Sequence, residues 1–231
     1  MKDKVIKAII LAGGYSRRMK LKVPKQLLKI EKKPILAYSL DAFERCKLIK
    51  SIVLVVHKKY VSQCRNLVKK YRYKKIEQLC LGGRTRQQSV FNALTRIKDC
   101  NYVIIHDGVR PFVTKKIISQ VLKAVKKFGA ATCAVKAVDT TVEAKQGSID
   151  SVLSRQKLWH IQTPQAFKFN LILKAHRNAR AKKIFAASDD AQLLLNSKKK
   201  IKLINGSYSN IKVTTKSDLL LAKKLNRRKP R

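Results

Sequence analysis

Short apolar runs alternating with stretches of three-and-four spacing are the pattern that most restricts how this chain can fold. Ser51 to Val56 reads Ser-Ile-Val-Leu-Val-Val, a continuous β-branched run of the kind found in strands covered on both faces. Val5 to Leu11 is a second run, ending in Gly13-Gly14; Ile76 to Leu81 is a third, ending in Gly82-Gly83; Tyr102 to Ile105 and Ala130 to Val138 are two more. Helical spacing fills the gaps. Pro34 opens a stretch reaching about Cys46, and Val61, Cys64, Leu67, Val68 and Tyr71 share one helical face, as do Ser89, Val90, Ala93, Leu94 and Ile97. Thr114 is placed to cap a helix whose apolar face is Ile117, Ile118, Val121, Leu122 and Val125, with Gly129 as its stop. Repeated βα units joined by right-handed crossovers predict a largely parallel sheet with helices on both faces, a three-layer α/β domain spanning residues 1–231.

One stretch breaks the rhythm. From Asp139 to His160, two apolar segments flank Gly147-Ser148, which predicts a protruding β-arm at about 139–160 rather than a crossover helix. An isolated hairpin is marginally stable in water, so this arm is expected to pack on something else, such as a second subunit. Beyond it the spacing predicts helices at Asn170 to Lys182 and after Ser188-Asp189-Asp190. A strand at Lys200 to Ile204 follows, and then a last helix from Thr215, whose Thr215-Lys216-Ser217-Asp218 approximates a capping box.

Composition bounds the function. The chain has 54 Lys+Arg against 13 Asp+Glu, a formal net charge of +41. Such a balance attracts polyanions: nucleic acid, an anionic membrane or phosphorylated small molecules. It is equally what a Lys-rich solvated surface produces without any such partner. The five cysteines contain no C-x-x-C pair, which disfavours a zinc ribbon or disulfide framework and predicts buried reduced thiols in a cytoplasmic protein. No apolar run approaches the ~18 residues of a membrane span, and the apolar stretch at the N-terminus, broken by Lys7, lacks the marks of a signal peptide.

The chemistry-bearing residues gather after the predicted strands. Leu11-Ala12-Gly13-Gly14-Tyr15-Ser16-Arg17-Arg18-Met19, followed by Pro24-Lys25-Gln26, is neither a Walker loop nor the dinucleotide fingerprint. Its glycines nevertheless let backbone N–H groups approach a phosphate or base, and Arg18 and Lys25 supply two cations for a polyphosphate. Further segments are Gly82-Gly83-Arg84-Thr85-Arg86 with Ser89, His106-Asp107-Gly108-Val109-Arg110-Pro111, Asp139-Thr140, Arg155, and Leu158-Trp159-His160-Ile161-Gln162-Thr163-Pro164-Gln165. Ser188-Asp189-Asp190 and Asn210-Ile211-Lys212-Val213-Thr214 complete the series. In this order they resemble the nucleotidyltransferases of GT-A-like, Rossmann-related fold, and within these the 2-C-methyl-D-erythritol 4-phosphate cytidylyltransferases, from Ile9 to about Leu220.

The resemblance implies transfer of a cytidylyl group from CTP to methylerythritol phosphate, with release of pyrophosphate, in non-mevalonate isoprenoid synthesis. It assigns Arg18 and Lys25 to transition-state stabilisation, and Arg155 and Lys212 to positioning of the attacking phosphate. It assigns Ala12, Gly13, Gly14, Gly83, Ser89 and Asp107 to the nucleotide, and Gly108, Arg110, Thr140, Thr163 and Ser188 to the second substrate. It further implies Mg²⁺ held mainly through the CTP phosphates, with Asp107 facing ribose or the metal, and a homodimer in which the arm reaches into the neighbouring subunit. Read without the resemblance, Asp107 has the lesser alternative of a turn or capping carboxylate, while His106 reads as a local hydrogen-bonding group, Trp159 as a packing residue, and Asp189 and Asp190 as complements of a helix N-terminus. Two positions depart from the family pattern: Arg84 stands where an acidic residue is common, and Ser188 where threonine is usual. The rival activities are a pentitol-phosphate cytidylyltransferase acting on ribitol 5-phosphate and, from another class, a basic RNA-binding protein. No nucleic-acid-binding signature supports specific recognition, which leaves non-specific RNA association alone compatible with the sequence.

Overall fold

The apolar runs assemble into one seven-stranded sheet in the computed structural model, which describes residues 4–14, 23–196 and 199–227. In chain order the elements are β1 (Ile6–Ala12), β2 (Lys29–Ile30), β3 (Lys33–Pro34), α1 (Ile35–Glu44), β4 (Ser51–Val56), α2 (Val61–Lys70), β5 (Ile76–Leu81), α3 (Arg86–Leu94), β6 (Tyr102–Asp107), α4 (Lys115–Phe128) and β7 (Ala130–Lys136). There follow β8 (Val142–Lys145), β9 (Ser148–Val152), β10 (Trp159–Lys168), α5 (Phe169–Ala181), α6 (Asp190–Leu195), β11 (Lys202–Asn205) and α7 (Lys216–Arg227). The order across the sheet is β11-β7-β10-β6-β1-β4-β5. All strands but β10 run the same way; β10 is antiparallel to both of its neighbours, β6 and β7.

The two faces of β1 show why the layers form. Ile6, Ala8, Ile10 and Ala12 point into a core made with Leu36, Leu40 and Phe43 of α1 and with Ile118, Val121 and Leu122 of α4. Ile9, between them, points the other way, into a core shared with Val90 and Leu94 of α3 and Ile172 of α5. A third, smaller cluster of Ile30, Ile35, Val109, Phe112, Val213 and Ala222 fastens α7 and the β2–β3 pair to the segment after β6. It matters for the site because the Val213 N–H donates to Val109 O at 2.9 Å, fixing the segment that carries Lys212.

Local signals held where they were strongest. Thr114 Oγ1 accepts from the Ile117 N–H, and α4 ends on Gly129, whose φ of 81° suits a residue without Cβ. Cys46, Cys64, Cys80 and Cys133 are buried, Cys100 is partly buried, and none is disulfide-bonded. Burial pushes the Cys133 thiol up to about 12. No helix among the described residues is long and apolar enough to cross a membrane.

The structure differs from the sequence reading over one strand and two strand ends. The segment Trp159–Lys168 is a ten-residue strand inside the sheet, although the sequence announces it only as a polar motif. The strand expected from Lys200 begins at Lys202, and β7 stops at Lys136 rather than Val138. Between β7 and β10 the chain leaves the main sheet, and β8 and β9 pair only with each other, leaving Ile149 69% and Val152 66% exposed.

Ile104, at the centre of β6, is fully buried against the α1 and α4 layer. Ile104→Ala should cost about 2–5 kcal/mol. Urea unfolding of the variant should give a lower midpoint at an unchanged slope.

Candidate active site

The sheet order creates an opening before any side chain is considered. From β1 the chain moves to β4 and β5 on one side, then returns to β6 on the other, so connections diverge at the carboxyl end of β1. Ligands of doubly wound sheets sit in such crevices. Here a cavity of about 570 Å³ lies over the ends of β1, β5 and β6.

Each strand end contributes a different part. After β1, Ala12, Gly13 and Gly14 form the floor, and the buried Gln26 amide donates to Ala12 O at 2.7 Å, tying the Pro24-Lys25-Gln26 turn to the glycine loop. That tie brings Lys25 to the cavity wall. After β5, the Gly83 N–H donates to Ser89 Oγ at 3.0 Å while the Ser89 hydroxyl donates to Thr85 O at 2.9 Å. Thr85 caps α3, its side chain accepting from the Gln88 N–H. After β6, Gly108 allows the chain to pass close to β1: a Cβ there would lie 2.8 Å from Leu36 Cδ1 and 3.0 Å from Leu11 O.

Asp107, the last residue of β6, is the electrostatic centre. Lys212 Nζ lies 2.7 Å from its Oδ2, Arg86 Nε lies 3.3 Å from its Oδ1, and Arg110 Nε stands 3.9 Å away. Burial opposes its ionisation, but the charges of Arg86 and Lys212 and the Lys212 hydrogen bond outweigh that and hold the carboxyl far below the ordinary range. Arg86 bridges further: its Nη1 lies 2.7 Å from Oδ2 of the buried Asp190, whose Oδ1 accepts from His176 Nε2 at 3.0 Å. Asp190 is likewise shifted down, burial being overcome by Arg86 and by the His176 hydrogen bond.

Behind this lies a second, neutral chain. The Asp107 N–H donates to Thr163 Oγ1 at 3.0 Å, leaving that hydroxyl to donate to His106 Nδ1 at 3.2 Å. His106 Nε2 therefore carries the proton and donates to Arg110 O at 3.2 Å. Burial pushes the His106 ring down to about 4, so it is neutral throughout the physiological range.

The sequence-nominated residues now divide. Ala12, Gly13, Gly14, Lys25, Gly83, Ser89, Asp107 and Lys212 line one cavity. Gly108, Arg110 and Thr163 stand behind its wall: Arg110 Nη1 donates to Asn210 O at 2.7 Å, and Thr163 is committed as above. Thr140 and Arg155 do not line it; Arg155 Nη1 donates to Val138 O at 3.0 Å at the base of the β8–β9 hairpin. Ser188 is exposed and bonds the Gln192 side chain. Arg18 falls outside the described residues. Asp107 is no helix cap, since Thr114 caps α4. Sequence reasoning did not nominate Gln26, Arg86 or His176, and it read Asp190 only as a helix-terminal charge. Asp189 does cap α6, accepting from the Gln192 N–H, whereas Asp190 turns inward to Arg86 and His176.

Among the described residues no three His, Cys, Asp or Glu side chains cluster to hold a metal. Asp107 is the acidic residue of the cavity lining, and cations engage both of its oxygens. The cavity as built, lined by Lys25, Arg84, Arg86 and Lys212 against Asp107, suits an anion.

Comparison with known proteins agrees with this geometry. The family model for 2-C-methyl-D-erythritol 4-phosphate cytidylyltransferase matches residues 6–228. A protein of that name from Clostridium acetobutylicum is 43% identical over 220 residues, covering 94% of this chain and 96% of its own length. One from Bacillus cereus is 42% identical over 214 residues, covering 93% and 94%. Among solved structures, the 4-diphosphocytidyl-2C-methyl-D-erythritol synthase of Anaerococcus prevotii superimposes with a TM-score of 0.87 at 32% identity, covering 98% of this chain and 97% of that one. The 2-C-methyl-D-erythritol 4-phosphate cytidylyltransferase of Thermus thermophilus gives 0.79 at 28%, covering 95% and 98%.

The state of His106 has a measurable consequence. Below its ordinary value of 6.5 an unfolded chain takes up a proton that the folded ring, at about 4, refuses. Stability should therefore fall on acidification from 6.5 to about 4, by roughly 3 kcal/mol from this group, with Asp107 acting in the same direction at lower pH. The Cε1–H resonance of His106 should not titrate between pH 5 and 8, and urea unfolding at several pH values should show the loss reduced in His106→Gln. A ring titrating near 6.5 would contradict the buried neutral assignment.

Proposed function

Because the chain belongs to the 2-C-methyl-D-erythritol 4-phosphate cytidylyltransferase family, we propose a division of labour within its cleft. The reaction joins CTP and 2-C-methyl-D-erythritol 4-phosphate to give CDP-methylerythritol and pyrophosphate, a step of non-mevalonate isoprenoid synthesis. The observation that carries the reading is the cavity at the carboxyl end of β1, where a glycine loop, Lys25 and the Lys212–Asp107 pair meet.

A phosphate monoester has its second pKa near ~6, so the attacking oxygen is already ionised at neutral pH and needs no general base. The buried, neutral His106 fits that requirement, having no proton-accepting task in the cleft. An oxygen of the methylerythritol phosphate attacks the α-phosphorus of CTP, forming one P–O bond. The α–β bridging P–O bond breaks, and its electron pair leaves on pyrophosphate. Negative charge accumulates around the α-phosphorus, and Lys25 with Arg18 stabilises it. Lys212 orients the incoming phosphate, together with Arg155. Ala12, Gly13, Gly14, Gly83 and Ser89 hold the nucleotide through the two glycine turns, and Asp107 accepts from its sugar. Gly108, Arg110, Thr140, Thr163 and Ser188 complete the pocket of the second substrate, Arg110 and Thr163 by holding the wall. Mg²⁺, when bound, would be held mainly through the CTP phosphates, with Asp107 as the candidate protein ligand, and would supply positive charge opposite the leaving pyrophosphate.

Thr140 and Arg155 lie away from the cavity of their own chain, and the hairpin beside them carries the exposed Ile149 and Val152. Both features support a homodimer in which the arm at 139–160 of one subunit completes the site of the other. Unpaired thiols support a cytoplasmic enzyme.

With CTP and Mg²⁺, pyrophosphate release should be faster with methylerythritol phosphate than with ribitol 5-phosphate, and CTP should outperform ATP, GTP and UTP. Lys25→Ala should lower kcat by about a hundredfold or more while leaving the melting temperature within a few degrees. Faster release with ribitol phosphate, or a fully active Lys25→Ala, would remove the assignment. Shared sites predict one further result. Lys25→Ala and Arg155→Ala, each inactive alone, should regain about a quarter of wild-type activity per subunit when refolded together, since one of the two sites in a mixed dimer is intact. No recovery in verified mixed dimers would place Arg155 in the site of its own chain.

A further inference from the structure

Lys212 cannot hold the attacking phosphate and Asp107 equally well, yet in this structure its ammonium lies 2.7 Å from the Asp107 carboxylate. For Lys212 to turn to a substrate, Asp107 must keep a counterion, because a buried carboxylate left without one is strongly disfavoured. Arg86 occupies that position. It opens α3, lines the same cavity, and reaches Asp107 Oδ1 through Nε at 3.3 Å. Arg86 would itself be drawn toward an incoming triphosphate unless something restrained it. Asp190 supplies the restraint, 2.7 Å from Arg86 Nη1, and His176 Nε2 at 3.0 Å holds the other oxygen of Asp190. Asp190 and His176 are 1% and 0% exposed, so neither faces substrate.

We propose that Arg86, anchored by the His176–Asp190 pair, is a positioning residue: it is the standing counterion of Asp107 and thereby frees Lys212 to exchange from Asp107 to the substrate phosphate. The geometry also fixes the signs of two perturbations. Without the Arg86 charge, Asp107 depends on Lys212 and grips it more tightly. With Asp190 neutralised, the whole of the Arg86 charge falls to Asp107, and Lys212 is held less. General loosening of the fold would expose Lys212 in both variants alike, so opposite signs separate positioning from mere support.

The inference rests on the assignment of Lys212 to the attacking phosphate, and its main test needs no substrate. The full-length protein is treated with limiting acetic anhydride, and peptide mass spectrometry follows Lys212, with the exposed Lys115 as internal reference. In Arg86→Gln, Lys212 should acetylate about threefold more slowly than in the parent, and in Asp190→Asn about threefold faster. Steady-state kinetics of Arg86→Gln should show KM for methylerythritol phosphate raised about tenfold, with KM for CTP within about twofold. Equal or same-direction changes in Lys212 labelling would overturn the proposal. So would a rise in KM for CTP alone, which would make Arg86 a nucleotide ligand through its buried Nη2, an atom without a hydrogen-bond partner among the described residues. If Arg86→Gln does not fold, faster Lys212 labelling in Asp190→Asn together with an unchanged melting temperature supports the proposal, and unchanged labelling there overturns it. A parent that fails to turn over methylerythritol phosphate would remove the functional reading while the labelling result stood on its own.

Discussion

A carboxylate at the end of a buried strand has to be paired, and the pairing of Asp107 organises everything around the cleft. Its partners come from three separate parts of the chain: Arg86 at the start of α3, Arg110 in the turn after β6, and Lys212 in the segment before α7. The Arg86 and Lys212 links draw distant stretches of backbone to the carboxyl end of β1, whereas Arg110 is a local contact three residues on. Buried ion pairs are poor sources of net stability, but losing one member commonly costs about 3–5 kcal/mol because a charge is stranded. The cluster therefore penalises any arrangement in which α3, the β6 turn and the C-terminal segment do not meet here. Three cations surround two carboxylates, Asp107 and Asp190, which leaves the cleft with surplus positive charge where an anionic substrate is to sit.

The second chain of bonds explains why His106 and Thr163 belong to the wall of the site. Thr163 both accepts from the backbone of Asp107 and donates to His106, so one hydroxyl fixes the position of the end of β6 and the tautomer of the ring. The neutral ring then holds the Arg110 carbonyl, while the Arg110 side chain reaches Asn210 O two residues before Lys212. The hydrogen-bonded layer thus runs from β10 through β6 to the Lys212 segment, parallel to the charged one, and neither layer requires a titrating group at neutral pH.

The legible part of this protein was the part whose cause is local. Val5 to Leu11 and Ser51 to Val56 had to be buried strands, and Thr114 and Gly129 bracket α4 by hydrogen bonding and φ that involve their immediate neighbours. β10 was illegible because its central residues break the apolar pattern. Gln162, Thr163 and Gln165 are buried and bonded to Ser207 O, to Asp107 and His106, and to Asp189 respectively, none of them near in sequence, and Gln165 Oε1 is left without a partner among the described residues. The site was similarly divided. The glycine turns, Lys25, Asp107 and Lys212 were visible as motifs, whereas Arg86 gains its meaning from carboxylates 21 and 104 positions away. Local spacing has no way to announce a contact of that range.

The charge of +41 follows a different logic from the cleft. On α4, Lys115, Lys116, Lys123, Lys126 and Lys127 are exposed while Ile117, Ile118, Val121, Leu122 and Val125 are buried, so the helix needs only that its outer face be polar and is indifferent to sign. Exposed charges separated by more than a Debye length, about 8–10 Å in physiological salt, are largely screened from one another and from a ligand in the cleft. Most of the excess therefore does not act on the reaction at all. What it does not do is repel: both substrates and pyrophosphate are anions, so a positive surface never raises a barrier to their approach, whereas an equal acidic excess near the cleft mouth would. A basic drift in composition is thus one that this chemistry tolerates without selecting for it. The cations proposed to act are few, among them Lys25 and Lys212 of the cavity lining, and their position rather than their number sets their effect.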